Sequence, residues 1–209
     1  MITRRKFLAT GASAVALAPL LNLAMADSPH LIQRPIPSSG ELLPVIGMGT
    51  SRTFDAGADA VTVARLAEVM ALFFAGGGTV IDSSPMYGAS EEVVGDCLAR
   101  IDGAGTVFSA TKVWTRGKQA GEEEIAASHA LWGLERFNLN QVHNLVDWPT
   151  QLETLLQMKA DGQLQYVGIT TSHGRRHQDM QEIMRSQPID FVQLSYHIDN
   201  RDVEDRLLP

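Results

Sequence analysis

The chain has 209 residues, a net charge of −7, one cysteine and 44% apolar residues. That is ordinary globular composition, enough for one sizeable core and too little for two large domains. The acidic balance and the lack of a basic stripe argue against a nucleic-acid partner, and the lone Cys97 leaves no internal disulfide.

Residues 1–26 read as a leader to be set aside before any fold reasoning. Thr3-Arg4-Arg5-Lys6-Phe7-Leu8 has the form of a twin-arginine signal. An apolar stretch from Ala9 to Leu23 follows, interrupted by Gly11, Ser13 and Pro19, and Ala24-Met25-Ala26 offers a small-x-small cleavage site. The stretch is too short and interrupted for a stable membrane span; an uncleaved amphipathic anchor is the competing reading. Cleavage after Ala26 removes Arg4, Arg5 and Lys6 and no acid, taking the charge from −7 to −10. The expectation is a periplasmic protein whose first partner is the twin-arginine export machinery, with residues 27–209 as one domain.

Residues 27–43 form a polar lead-in with Pro29, Pro35 and Pro37. Short apolar runs then alternate with longer helical patterns, the signature of βα units and a parallel sheet. Val45–Met48 predicts the first strand. A helix near Val61–Ala75 has Asp59 as its N-cap and Gly76 beyond its end, with Leu66, Val69, Met70, Phe73 and Phe74 on its apolar face. Thr79–Asp82 predicts the second strand, and Ser90 opens a helix with Glu91 and Glu92 in its first turn, where the helix dipole favours acids. Val107–Thr111 predicts the third strand, followed by a helix across Glu122–Phe137. Gln141–Val146 predicts the fourth strand, and Thr150-Gln151-Leu152-Glu153 has the capping-box form for the next helix. A fifth strand is expected at Gln165–Thr170, a helix around Gln178–Arg185 and a sixth strand at Phe191–Tyr196. Asn200 or Asp202 opens a last helix. Six βα units suit either an open doubly wound sheet or part of a closed (β/α)8 barrel, and repetition alone does not choose.

Four polar residues stand at or near the ends of successive strands: Asp82, Tyr87 five residues on, Lys112 and His143, the last read as lying within the fourth strand. In a parallel barrel these ends gather on one face. Their chemistry suits carbonyl reduction. A phenol with a pKa of about 10 is a poor acid near neutrality, and a neighbouring ammonium, Lys112, would lower it. Asp82 would hold Lys112, and His143 would donate to the carbonyl oxygen. A nicotinamide would carry the hydride. Each also has a plainer reading: Asp82 as a turn residue, Lys112 as surface charge, Tyr87 as packing and His143 as a satisfied core histidine. No Gly-x-Gly-x-x-Gly lies between a strand and a helix, Gly76-Gly77-Gly78 precedes its strand, and no Walker motif is present. His173 and His177 straddle a loop and a helix start, a poor metal pair.

Ile36 to Glu41 and Leu43 to Thr50 resemble the opening hairpin and first strand of the aldo-keto reductase family. Ile81-Asp82-Ser83-Ser84-Pro85-Met86-Tyr87-Gly88-Ala89-Ser90-Glu91 resembles its signature segment. Thr111-Lys112-Val113-Trp114 and Gln141-Val142-His143-Asn144 resemble its lysine and histidine strands, in the family's order. The resemblance implies a (β/α)8 TIM barrel, here incomplete at about six βα units, and reduction of aldehydes or ketones. Asp82, Tyr87, Lys112 and His143 would be catalytic, with Tyr87 as general acid. NADPH is the implied cofactor, NADH not being excluded, and a small carbonyl compound the substrate. Thr170-Thr171 stands where the family has Ser-Asn, and Gln193 matches its glutamine, all toward the nicotinamide carboxamide; Thr171 lacks the amide of asparagine. Gly49 and Thr50 match the strand end that approaches the cofactor. Trp114 and Trp148 are candidates for an aromatic substrate wall, with core packing the alternative for both. The resemblance places two further strands and the phosphate-binding loop beyond Pro209, which leaves two exposed sheet edges. A non-catalytic remnant or interaction protein is therefore the second functional expectation.

Overall fold

Local capping and glycine signals set most element boundaries in the computed structural model, which describes residues 31–101 and 107–208. The leader expected over residues 1–26 lies outside the described residues. Helix α1 (Ala60–Ala75) starts where Asp59 Oδ1 accepts the Val61 and Thr62 N–H groups at 3.1 and 3.2 Å. It buries Val63, Leu66, Ala67 and Met70, a stripe at helical spacing. Val69, expected on that stripe, falls off its edge and is 51% exposed, while Phe73 and Phe74 pack along the margin.

A hairpin of β1 (Gln33–Pro35) and β2 (Leu42–Pro44) precedes the main sheet, with Gln33 paired to Pro44 and Pro35 to Leu42. The sheet comprises β3 (Met48–Gly49), β4 (Val80–Asp82), β5 (Phe108–Val113), β6 (Phe137–Val142), β7 (Leu164–Thr170) and β8 (Phe191–Gln193). Its six strands are parallel and stand in strict chain order, β3 to β8. The crossovers carry α1, α2 (Ser90–Leu98), α3 (Lys118–Trp132), α4 (Trp148–Ala160) and α5 (His177–Ser186). A doubly wound sheet reverses its strand order at a switch point. Here every strand adds on the same side of the last, so the sheet is an incomplete (β/α)8 barrel.

Two apolar layers follow from the strand alternation. The outward residues Ile81, Val113, Val142, Val167 and Ile169 pack against the helices in one cluster. The inward residues Phe108, Ala110, Leu139 and Tyr166 form a second cluster with Ile36 of the hairpin. Ser39 Oγ lies 2.7 Å from Tyr166 Oη, and the Tyr166 hydroxyl donates to Glu41, so the hairpin closes the end of the barrel where the strands begin. Helices α2 and α3 touch backbone to backbone: a methyl group on Gly95 would lie 1.9 Å from the Leu131 carbonyl oxygen.

Several boundaries differ from the sequence reading. The helix expected over Glu122–Phe137 is Lys118–Trp132, because Gly133 at φ +67° ends it in the left-handed cap that glycine favours. Strand β6 therefore starts at Phe137, and His143 is not within it but opens a 3₁₀ turn, His143–Leu145. The capping box does not form. Asp147 is the N-cap of α4, Pro149 sits in the first turn, and the Thr150 hydroxyl donates to Asp147 Oδ1 at 3.1 Å. The last helix is only a 3₁₀ turn, Asp202–Asp205. Among the described residues no helix is long and apolar enough to cross a membrane.

Candidate active site

Strand register brings the polar residues together. Lys112 pairs with Gln141, and Thr170 with Gln193. Side-chain contacts show that Asp82, Lys112, Gln141 and Gln193 share the inward face at the end where the strands finish. Asp82 is their hub. Its Oδ2 accepts from Lys112 Nζ at 2.7 Å and from Gln193 Nε2 at 3.2 Å, and its Oδ1 from Gln141 Nε2 at 3.4 Å. Lys112 also donates to the Ser83 carbonyl at 2.7 Å and is 1% exposed. A buried ammonium needs such partners, since burial otherwise favours its neutral form. Burial does lower the pKa of Lys112, and the charge of Asp82 opposes that shift.

Tyr87 projects from the loop after β4. Asp55 Oδ1 pins this loop by accepting the Ala89 N–H at 2.9 Å. Gly88 has φ +60°, and a methyl group there would lie 2.4 Å from Asp55 Oδ1, so both conformation and space call for glycine. The half-buried Tyr87 ring has Lys112 Nζ 5.1 Å from its centre and meets the His143 ring edge-on at 5.8 Å. His143 Nδ1 lies 2.7 Å from Ser84 Oγ. Trp114, at the end of β5, is 6.4 Å from His143 and 42% exposed, a position on the rim.

The pKa shifts correct one expectation. Burial, and then the charge of Asp82, push the Tyr87 phenol up to about 12. The Lys112 ammonium does not offset these two effects, being paired with the Asp82 carboxylate whose charge acts the other way. Tyr87 thus holds its proton firmly through the neutral range. Burial, with the Lys112 charge second, pushes His143 down to about 4, so its imidazole is neutral.

The remaining predicted residues divide. Gly49 pairs with Asp82, and a methyl group there would meet nothing within 4 Å. It lines a cavity of about 310 Å³ together with Asp82, Gln141 and Gln193. Thr50 is buried and gives both its N–H and its hydroxyl proton to the Asp82 carbonyl at 3.0 Å, which anchors the strand end. Thr170 Oγ1 accepts the Asn144 N–H at 3.0 Å. Thr171 turns the other way, its hydroxyl directed at Met180 of α5 at 3.8 Å. Trp148 packs on the outer core and borders a groove with Pro149, Leu152 and Leu156, away from these residues. Sequence reasoning passed over Ser84 and Gln141. Both sit beside the recognised Asp82 and His143, and strand parity placed Gln141 on the same face as Lys112. Among the described residues no cluster of metal ligands occurs.

Residues 45–209 match the Aldo/keto reductase family, well over half of the chain. The chain belongs to this family. Solved structures of similar fold include a thermostable aldo-keto reductase in complex with the inhibitor epalrestat, at 22% identity and a TM-score of 0.71 over 84% of the chain. Another is the holo form of an aldo-keto reductase from Bacillus halodurans, at 21% identity and a TM-score of 0.71 over 84% of the chain. A third, an aldo/keto reductase from Klebsiella pneumoniae in complex with NADP and acetate, is 26% identical with a TM-score of 0.70 over 81% of the chain. This aldo/keto reductase chain spans 66%, 61% and 60% of their respective lengths. No curated protein matches the chain in sequence.

Proposed function

We propose that the chain carries the site of an oxidoreductase that reduces small aldehydes or ketones to alcohols, with Tyr87 as general acid. The observation that carries this reading is the convergence of a proton-holding phenol, a neutral imidazole and a buried Lys112–Asp82 pair at one end of the sheet. Carbonyl reduction places negative charge on oxygen as the carbon is reduced. The alkoxide that develops is a far stronger base than a phenolate, so Tyr87 can release its proton to it despite a pKa near 12. A neutral His143 donates a hydrogen bond to the same oxygen and orients it. Lys112, held by Asp82 and Ser83, packs 5.1 Å from the centre of the Tyr87 ring and fixes its position.

The inward residues fit a nicotinamide carboxamide. Thr170 Oγ1 accepts from Asn144, which leaves its proton to donate; Gln193 spends its Nε2 on Asp82, which leaves its Oε1 to accept. The two stand at paired register positions, and Gln193 lines the cavity that Gly49 leaves open. When bound, the nicotinamide would supply the hydride. We propose NADPH, supported by the NADP held by the Klebsiella relative, with NADH equally compatible with these residues. The reading includes export by the twin-arginine route to the periplasm, on the strength of Arg4-Arg5 and the Ala24-Met25-Ala26 site.

The test is NADPH oxidation by the full chain against a panel of aldehydes and ketones. Turnover that falls about a hundredfold or more in Tyr87→Phe supports the reading. Turnover undiminished in that variant overturns the role of Tyr87.

A further inference from the structure

Four residues separate His143 from α4, and three of them have left-handed backbone: Asn144 and Leu145 at φ +53° and Asp147 at φ +45°. Asparagine tolerates this region. Leucine does so only under strain, since its Cβ crowds the following carbonyl. Strain of this kind persists only where the surroundings over-determine it. Below the turn, the Leu145 side chain is buried in the core. The Val146 N–H closes onto the His143 carbonyl at 3.1 Å. From β7 and the loop after it, Thr170 Oγ1 takes the Asn144 N–H and Ser172 Oγ donates to Asn144 Oδ1, each at 3.0 Å.

The carbonyls of Asn144 and Leu145 remain, and one side chain takes both. Arg176 Nη1 donates to Leu145 O at 2.7 Å and to Asn144 O at 3.4 Å, reaching 31 residues back along the chain for the shorter bond. Asp179 Oδ2 accepts from Arg176 Nε at 2.7 Å and aims the guanidinium. That ion pair is exposed and contributes little by itself. The bonds to the turn are charge-assisted and therefore stronger than neutral ones.

We infer that Arg176 is a positioning residue for His143. It ties down the two carbonyls of a strained left-handed turn and so fixes the backbone from which the imidazole reaches Ser84 and faces Tyr87. The inference rests on the proposed role of His143. It gives α5 a part in the site, although none of its residues comes within reach of Asp82 or Tyr87 in the contacts described above.

The experiment follows the His143 ring nitrogens by NMR through a pH titration of the full chain and of Arg176→Ala, with thermal melts to confirm folding. Wild-type His143 should stay neutral down to about pH 4. In Arg176→Ala the turn relaxes, and the midpoint should rise by about one pH unit toward the ordinary histidine value. In parallel, kcat should fall about tenfold while KM for NADPH stays within about twofold. A folded Arg176→Ala variant with an unmoved His143 midpoint overturns the inference. Should that variant not fold, Arg176→Gln, which keeps one amide donor, takes its place: a midpoint displaced the same way supports the inference, and an unmoved one overturns it. A wild-type chain without turnover would count against the proposed function, and the titration would still decide the part played by Arg176.

Discussion

Ser84 Oγ lies 2.7 Å from His143 Nδ1, and both side chains are buried. The Ser84 oxygen already accepts the Met86 N–H at 3.2 Å. A hydroxyl oxygen can accept a second hydrogen bond, so this geometry is compatible with either tautomer; the proposed donation from His143 to the carbonyl oxygen requires the Ser84 proton on Nδ1 and the histidine proton on Nε2. Ser84→Ala should release that preference. We expect kcat to fall about tenfold, with a stability loss of about 1–3 kcal/mol from the buried Nδ1 left without its partner. Ring-nitrogen shifts showing Nδ1 protonated in the wild-type chain would refute this account of the tautomer.

The depressed pKa of His143 makes stability depend on pH. The unfolded histidine titrates near 6.5 and the folded one near 4. Between these values the unfolded chain binds more protons, so stability is complete above about pH 6.5 and is lost as pH falls toward 4. Urea unfolding at pH 7 and pH 4.5 should show a loss about 2 kcal/mol larger in wild type than in His143→Asn. Equal losses in the two proteins would mean that His143 is not the group responsible.

Lys112 and Asp82 form a buried pair whose acidic partner is 18% exposed. Lys112→Met should cost about 2–3 kcal/mol, because it leaves the carboxylate with two amide donors and no cation. In the Lys112→Met/Asp82→Asn double variant, part of that loss should return. Denaturant melts of the wild type, Lys112→Met, Asp82→Asn and the double variant would check it, and strictly additive costs would argue against a coupled pair.

Cys97 is fully buried, and its thiol is pushed up to about 11 by that burial. It should resist an aromatic disulfide reagent at pH 8 in the native chain and react at once in denaturant. Rapid native labelling would show that α2 opens readily from the sheet.

Gly95→Ala tests the crossing of α2 and α3. A methyl group 1.9 Å from a carbonyl oxygen must push the helices apart, so a loss of about 2 kcal/mol or more is expected. An unchanged melting temperature would mean that the two helices pack less closely than described.

Much of this architecture was legible in the sequence because strong local signals recur. Asp59 announced α1, and the short apolar runs located all six strands to within a few residues. The misplaced helix before β6 came from reading Glu122 to Glu124 as a first turn when they lie in the second, and from passing over Gly133 as a stop. The four central site residues were readable because each stands at or near a strand end. Thr171 was not, since one residue of strand parity decides whether a side chain faces the barrel or the helices, and Trp148 was not, since it opens α4 and packs on the outer core. The hold of Arg176 on residues 144 and 145 has no local signature, being a contact between loops more than 30 residues apart.

The chain order of the sheet bears on how the molecule comes to be folded. Each strand hydrogen-bonds only to its immediate predecessor and successor, so almost every sheet contact closes a loop of modest length. Parallel pairing across a helix is slow to form compared with a hairpin, but this neighbour-to-neighbour order suits assembly from the first-synthesised end. Asp82 can meet Lys112 once 30 residues more have emerged, His143 reaches Tyr87 after the next helix and strand, and Gln193 arrives last to seal the carboxylate from the far edge. The site would then assemble in the order in which it is translated, with Asp82 as the fixed point to which β5, β6 and β8 each add one group.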